Sequence, residues 1–598
     1  MTNHKTQAGN PISLIFRISS RFKNRQTFPV FFLILFLSLN FDGSARADVK
    51  VPGIFGDNMV LQEQAKLPIW GWADPGEKIT VTLGQASVST QATPDGSWRV
   101  DLPSVPQSTD GQVLTIAGKN TLTFQNVLVG DVWVASGQSN MQFGIQNDGR
   151  GAAAIAAADE PQIRLFMVPT QTSLEPKTDF GTVWTDHLEG KWLICNPTIL
   201  TGKWGWGGFS AVAYYFGREI HHVTGRPIGL IDASVAGTPA QAWTSLSGLQ
   251  KEPDLGHYVS DHQKVEDGYA QAEADYPKLK ADFDAATEQW NLNVGTVYNQ
   301  ELEQWKTAAQ QANTAGQPAP PQPKPSSPKP IAPLPPDGGT HLPSTLFNGM
   351  IAPFIPYAIK GVVWYQGEQN SNNAKEYVTL FPRLITDWRE KWSQGDFPFI
   401  YVQLANWGAP QKAPIEVGGW PLVREAQLKT LTLPNTAMAT AIDVGDPFDL
   451  HPKDKLDVGL RLALAARHLA YGENIVASGP LYDAMKIEGA NIRLTFKESG
   501  SGLTLGVPPW TPTGTTPPPP TELKGFAISG SDRKWVWAKA EIEGNDVVVS
   551  APGVTSPIAV RYDWAPSPTG NLYNKEGLPA SPFRTDDWDD AVATPKSQ

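Results

Sequence analysis

The chain reads as an α/β protein with a parallel central sheet, flanked at both ends by smaller β-sandwich-like domains. Three observations predict this. Between about residues 128 and 470 short apolar, β-branched runs alternate with helical patterns, which is the signature of βαβ units. Before and after that region the pattern changes to short alternating strands separated by Asp-Pro-Gly and Pro-Asp-Gly turns or proline runs. Finally, 598 residues exceed what one hydrophobic core supports, so about three domains are expected.

In chain order, residues 1–47 read as an export signal. Arg17, Arg21, Lys23 and Arg25 precede the apolar run 28–39, and Ala45-Arg46-Ala47 offers a small-x-small cleavage site. The apolar run is short for a membrane span, and no stable membrane partner is expected. Residues 48–127 form the N-terminal β-domain, with strands at 68–73, 78–83 and 96–101. The α/β domain covers 128–475. Its strands are expected at 132–135, 227–231, 360–365 and 437–442, and a helix with small residues at 209–220. Each of the four strands runs into a polar loop, and in a parallel sheet those loops share one edge.

An insertion at about 250–340 interrupts this domain. Tyr276, Leu279, Phe283, Ala286 and Trp290 recur at helical spacing, as do Tyr298, Leu302, Trp305 and Ala309, giving two amphipathic helices read as a hairpin. Residues 318–336 carry proline at nearly every other position, so an extended polyproline segment of up to roughly 60 Å follows. The insertion either overhangs the active site or decorates the surface; the sequence leaves both readings open and decoration is the preferred one. Residues 476–598 form the C-terminal β-domain, with strands at 492–496, 534–538, 546–550 and 558–562.

A net charge of −11 argues against nucleic acid or an anionic membrane as partner. The single cysteine, Cys195, excludes an intramolecular disulfide and a cysteine-based zinc cluster, and its apolar neighbours make it a buried structural thiol. Export without disulfides points to a bacterial periplasm or cell exterior. The residues call for no metal and no cofactor.

The chemistry centres on Gly137-Gln138-Ser139-Asn140-Met141, just past the strand at 132–135. Ser139 has two readings, a helix cap or a nucleophile. Met141 stands where a G-x-S-x-G elbow requires glycine, which disfavours an α/β-hydrolase. The other strand-end loops supply partners for a nucleophile. His451 lies in a loop with Asp443, Asp446 and Asp449, Gly237 lies after the second strand, and Gln366 and Glu368 follow the third.

Taken together, Gly137–Met141, Gly237-Thr-Pro239 ahead of Trp243, Gln366-Gly-Glu368 after a Trp-Tyr strand, and Asp449-Leu-His451-Pro452 resemble the blocks of sialate O-acetylesterase-like proteins, which are SGNH-type esterases. The similarity covers most of residues 51–469 outside the insertion. It implies a flavodoxin-like three-layer core and removal of O-acetyl groups from an acetylated glycan, a polysaccharide fragment or sialic acid. It also implies Ser139 as nucleophile and His451 as general base, with an oxyanion hole formed by the Ser139 and Gly237 amides and the Gln366 side chain. Glu368 is expected to orient its neighbours.

Two positions depart from the family pattern. Val235-Ala236-Gly237 replaces Trp-Gly-Gly, and the spacing Asp-x-x-His is missing because Phe448 stands three before His451. Asp449 is therefore assigned to orient the imidazole, with Asp446 in reserve. Trp204, Trp206 and Trp364 are candidates either to line a sugar site or to pack in the core. A glycan-binding protein on an esterase scaffold and a lipid or aryl esterase are the competing readings.

Overall fold

The computed structural model describes residues 48–181, 188–202, 205–315, 317–511 and 517–588; the expected signal at 1–47 lies outside them. The central sheet is built from β1 (Thr121–Gly137), β2 (Glu160–Met167), β3 (Leu193–Cys195), β4 (Ile228–Ser234), β5 (Gly361–Tyr365), β6 (Phe399–Gln403) and β7 (Thr436–Thr440). Its order is β7-β6-β5-β1-β4-β2-β3. All neighbours are parallel except β3, which pairs antiparallel with β2. Without the edge strands β2 and β3 the order is that of flavodoxin-like sheets, in which the first strand sits at the switch point.

Residues of β4, β5 and β6 are buried throughout, as expected for strands covered on both faces. Trp133 of β1 packs edge-on against Phe216 of α1 (Ala211–Thr224). Trp364 of β5 meets Phe381 and Trp388 of α2 (Ala374–Trp392). Trp133 pairs in register with Gly361, three residues from Trp364, so the two rings point to opposite faces of the pleat and the sheet has helices on both. On the first face α4 (Lys455–Tyr471) joins α1, and a Cβ on Gly459 would lie 2.6 Å from Tyr215 Cβ, which permits only glycine at this helix crossing. On the second, α3 (Gly419–Thr430) packs beside α2.

β1 begins in the N-terminal β region, where it pairs with strand Ser108–Ala117, and ends in the central sheet. The boundary expected at 127/128 therefore falls inside one continuous strand. The C-terminal region forms two antiparallel four-stranded sheets around Ile492, Phe526, Val549, Tyr562 and Phe583. Cys195 is buried, and burial pushes its thiol up to about 12.

The insertion departs from expectation in two ways. Its helices, Gly256–Trp290 and Thr296–Thr314, are joined by a π-helical turn, Asn291–Gly295, with helical backbone at Trp290, Asn291 and Thr296, instead of by a hairpin loop. The proline-rich segment lies along them, accepting hydrogen bonds from Trp290 Nε1 at Ser327 and from Trp305 Nε1 at Pro320. The insertion also reaches the loop that carries His451, so it is not mere decoration.

Candidate active site

β1 ends between β4 and β5, with Gly137 in register with Ser234 on one side and Tyr365 on the other. Gly137 has φ 135°, and a Cβ there would lie 2.2 Å from the Tyr365 carbonyl, so only glycine passes. Gln138 is the N-cap of the short helix Ser139–Gln142, without a side-chain cap. Ser139 is thus the first helical residue rather than the cap, which removes the capping role as an account of its hydroxyl. Its backbone N–H is one of the donors a helix start leaves unpaired.

The neighbouring loops are strapped to this turn. Gln138 Oε1 accepts from the amides of Gly367 (3.3 Å) and Gln369 (3.2 Å). Gln142 Oε1 accepts from Ala236 N–H (3.0 Å), and Val235 N–H donates to the Gly137 carbonyl (3.1 Å). Gly237 follows with φ 71° and open space on its Cβ side. Among the described residues the Gly237 N–H has no backbone acceptor.

His451 lies between β7 and α4. Of the three acidic residues beside it, Asp443 is taken by a bidentate pair with Arg461 (2.6 and 2.8 Å) and by Tyr573 Oη (2.9 Å). Asp446 accepts from Phe448 N–H (2.8 Å). Asp449 alone faces the imidazole, with Oδ1 3.6 Å from His451 Nδ1 and 3.0 Å from His451 N. Burial raises the Asp449 carboxyl, but the neighbouring His451 imidazole and N–H and the charge of Lys306 outweigh it, and the group is lowered overall. His451 Nε2 is buried without a hydrogen-bond partner, so it does not yet bond to Ser139 Oγ. The two residues are brought together by Asn140, whose Nδ2 donates to the Leu450 carbonyl (3.1 Å).

Gln366 does not fit its expected role. It is fully buried, and Nε2 donates to Asn370 Oδ1 (2.7 Å) and to the Thr238 carbonyl (3.2 Å), while Oε1 accepts from Tyr377 Oη (2.9 Å). Both N–H groups are spent, as a buried amide requires, leaving none for an oxyanion. Its place is to tie the second and third loops together. Glu368 does orient a neighbour, accepting from Asn140 Nδ2 at 2.6 Å, and burial raises its carboxyl.

Trp364 belongs to the core and does not line a sugar site. Trp206 is 39 % exposed and sets its ring edge-on to His451 at 4.7 Å, while Trp204 lies outside the described residues. From the insertion, Trp305 meets the Phe448 ring at 6.1 Å and Lys306 Nζ lies 3.8 Å from Asp449 Oδ2.

Sequence reasoning missed Asn140 and Lys455, whose Nζ donates to Asn140 Oδ1 at 2.5 Å. A signal was present, because Lys455 is the first residue of α4, where the helix dipole disfavours a cation. Among the described residues no group of three or more His, Cys, Asp or Glu is arranged to hold a metal.

Residues 340–468 match the family described as carbohydrate esterase, sialic acid-specific acetylesterase (SASA). The chain is 30% identical over 606 residues to sialate O-acetylesterase of Pongo abelii, covering 92% of this chain and 95% of that one. It is 31% identical over 494 residues to the Homo sapiens sialate O-acetylesterase, covering 76% and 77%. The crystal structure of a carbohydrate acetylesterase from Xanthomonas citri matches with a TM-score of 0.68 at 32% identity, covering 90% of this chain and 100% of that one. The chain belongs to the sialate O-acetylesterase family.

Proposed function

We propose that the protein is an exported serine esterase that removes O-acetyl groups from a carbohydrate through an acyl-enzyme on Ser139. The observation that carries this reading is the junction at the sheet's switch point. Ser139 stands at a helix start beside an open Gly237, and Asn140 ties that turn to the His451 loop. In the reaction His451 Nε2 takes the Ser139 proton as Oγ attacks the acetyl carbonyl. The Ser139 and Gly237 amides receive the oxyanion. The imidazolium, steadied by Asp449, then returns the proton to the departing sugar oxygen. Water activated by the same imidazole attacks acetyl-Ser139, releasing acetate and restoring the serine. The Ser139–His451 hydrogen bond forms when substrate closes the site.

Trp206, exposed beside His451, and the flanking β regions favour an acetylated oligosaccharide over a free sialic acid. The leader-like segment 1–47 supports export. Acetate release from a panel of acetylated oligosaccharides tests the reading. Ser139→Ala is expected to lose about three orders of magnitude or more. If the variant matches wild type while both still bind glycan, the protein is a binding module.

A further inference from the structure

Lys455 is completely buried, and among the described residues it has no carboxylate within ion-pair distance. Its Nζ touches Asn140 Oδ1 (2.5 Å) and lies over the rings of Phe143 (4.7 Å) and Tyr365 (5.5 Å). On the far side of the same amide, Asn140 Nδ2 donates to Glu368 Oε1 (2.6 Å) and to the Leu450 carbonyl (3.1 Å). An ammonium only donates, whereas a carboxylate and a carbonyl only accept, so the amide has a single satisfied orientation. The second Glu368 oxygen is buried without a partner. A lone buried cation is unfavourable for folding, and an apolar residue of similar volume would serve stability better. Its position between the nucleophile turn and the base loop calls for a functional reason.

We propose that Lys455 is a positioning residue of the esterase: by fixing the Asn140 amide it holds the Leu450 carbonyl, and with it His451, beside Ser139, while its charge offsets that of Glu368. The proposal rests on the esterase reading above. Burial lowers Lys455 to about 7 against the opposing pull of Glu368, Asp148, Asp454 and Asp449. Of these, Asp148 accepts the Lys455 backbone N–H and the Tyr215 hydroxyl, and Asp454 is paired with Arg150, which also binds Asp457. The other charges on the base loop are Asp443, paired with Arg461, together with Asp446 and Lys453, and Lys306 approaches it from the insertion. Where Lys455 is protonated and Glu368 is ionised, the two act on the imidazole with opposite signs.

The experiment follows the His451 imidazole by NMR across pH, assigned with His451→Gln, alongside pH profiles of kcat and KM on a small aryl acetate. Lys455→Met removes a positive charge, so the imidazole titration is expected to move up. Glu368→Gln, close in shape to the native residue, is expected to move it down. The double variant is expected to return near wild type. In Lys455→Met kcat is expected to fall tenfold or more with KM within about twofold, the mark of lost positioning rather than lost binding. If Lys455→Met does not fold, Glu368→Gln alone decides by the direction of its shift. Unshifted titrations, or a kcat unchanged in Lys455→Met, overturn the proposal. Wild type without Ser139-dependent acetate release overturns the esterase reading instead, and the imidazole titrations still report whether Lys455 and Glu368 act on His451.

Discussion

Asp232 shows how a single residue at this sheet edge shapes behaviour beyond the reaction itself. It lies on β4, in register with Ala135 and Met167, wholly buried, with one oxygen held by Ser234 Oγ (2.5 Å) and the other without a partner. Burial pushes its carboxyl up to about 7. The folded chain therefore keeps a proton that the unfolded chain has already released. Stability falls as pH rises from about 4 to about 7 and is level above that window. Asp232→Asn removes the penalty, so the variant is expected to gain about 1–4 kcal/mol over wild type at pH 8 and little at pH 4. Urea midpoints at the two pH values check this, and a difference independent of pH would count against it. The same scale explains what could be read in the candidate site. Ser139, Gly237, Asp449 and His451 could be picked out as candidates because they stand in short motifs at strand ends. The fate of Gln366 was not, since Asn370, Thr238 and Tyr377 consume its amide and only the folded chain brings those three to it.

Among the elements, periodicity found β1, β4, β5 and β7 and the insertion's helices but passed over β2, β3 and β6. Arg164 interrupts the apolar run of β2, and its guanidinium is satisfied by the carbonyls of Pro161, Asn58 and Asn126. Pro398 directly precedes β6, a position that reads as a break. Helical spacing also revealed the insertion without revealing its neighbour. Trp305 and Lys306 stand on one helix turn and meet Phe448 and Asp449, two residues of the loop that carries His451. On the proposed oligosaccharide reading, Trp305 is the contact for sugars beyond the acetylated one, a contact that a small ester lacks. Trp305→Ala is expected to raise KM for an acetylated oligosaccharide by about two- to tenfold, the loss of one aromatic contact. On a small aryl acetate kcat and KM are expected to stay within about twofold. Equal effects on both substrates would place Trp305 in the support of the base loop instead.

At the scale of the whole molecule, the C-terminal β region is fastened to the catalytic region through buried polar contacts. Arg424 of α3 donates to the carbonyls of Leu404 (2.8 Å) and Ala405 (2.7 Å) after β6, and to those of Ala565 (2.8 Å) and Pro566 (2.9 Å) in the loop after the C-terminal strand Pro557–Tyr562. It is fully buried, and burial lowers its guanidinium to about 9. Gln403 Nε2 reaches Ser581 Oγ (2.8 Å), and Tyr573 shares Asp443 with Arg461. The last of these bears on function, because Asp443 begins the loop that ends at His451. Arg424→Met keeps much of the side-chain volume but leaves the Leu404 and Ala565 carbonyls without a donor, whereas Ala405 keeps Trp420 Nε1 (2.9 Å) and Pro566 keeps the Trp407 N–H (3.2 Å). Each buried unsatisfied group costs about 1–3 kcal/mol, part of it recovered by relaxation, so a total loss of about 2–4 kcal/mol is expected. Because the carbonyls come from both regions, the loss falls on their coupling more than on either core. Calorimetry of wild type is expected to show the two regions melting together. The variant is expected to show a separate, earlier transition, with residues 476–588 cleaved first in limited proteolysis. A single transition lowered as a whole would mean that Arg424 supports the catalytic region alone.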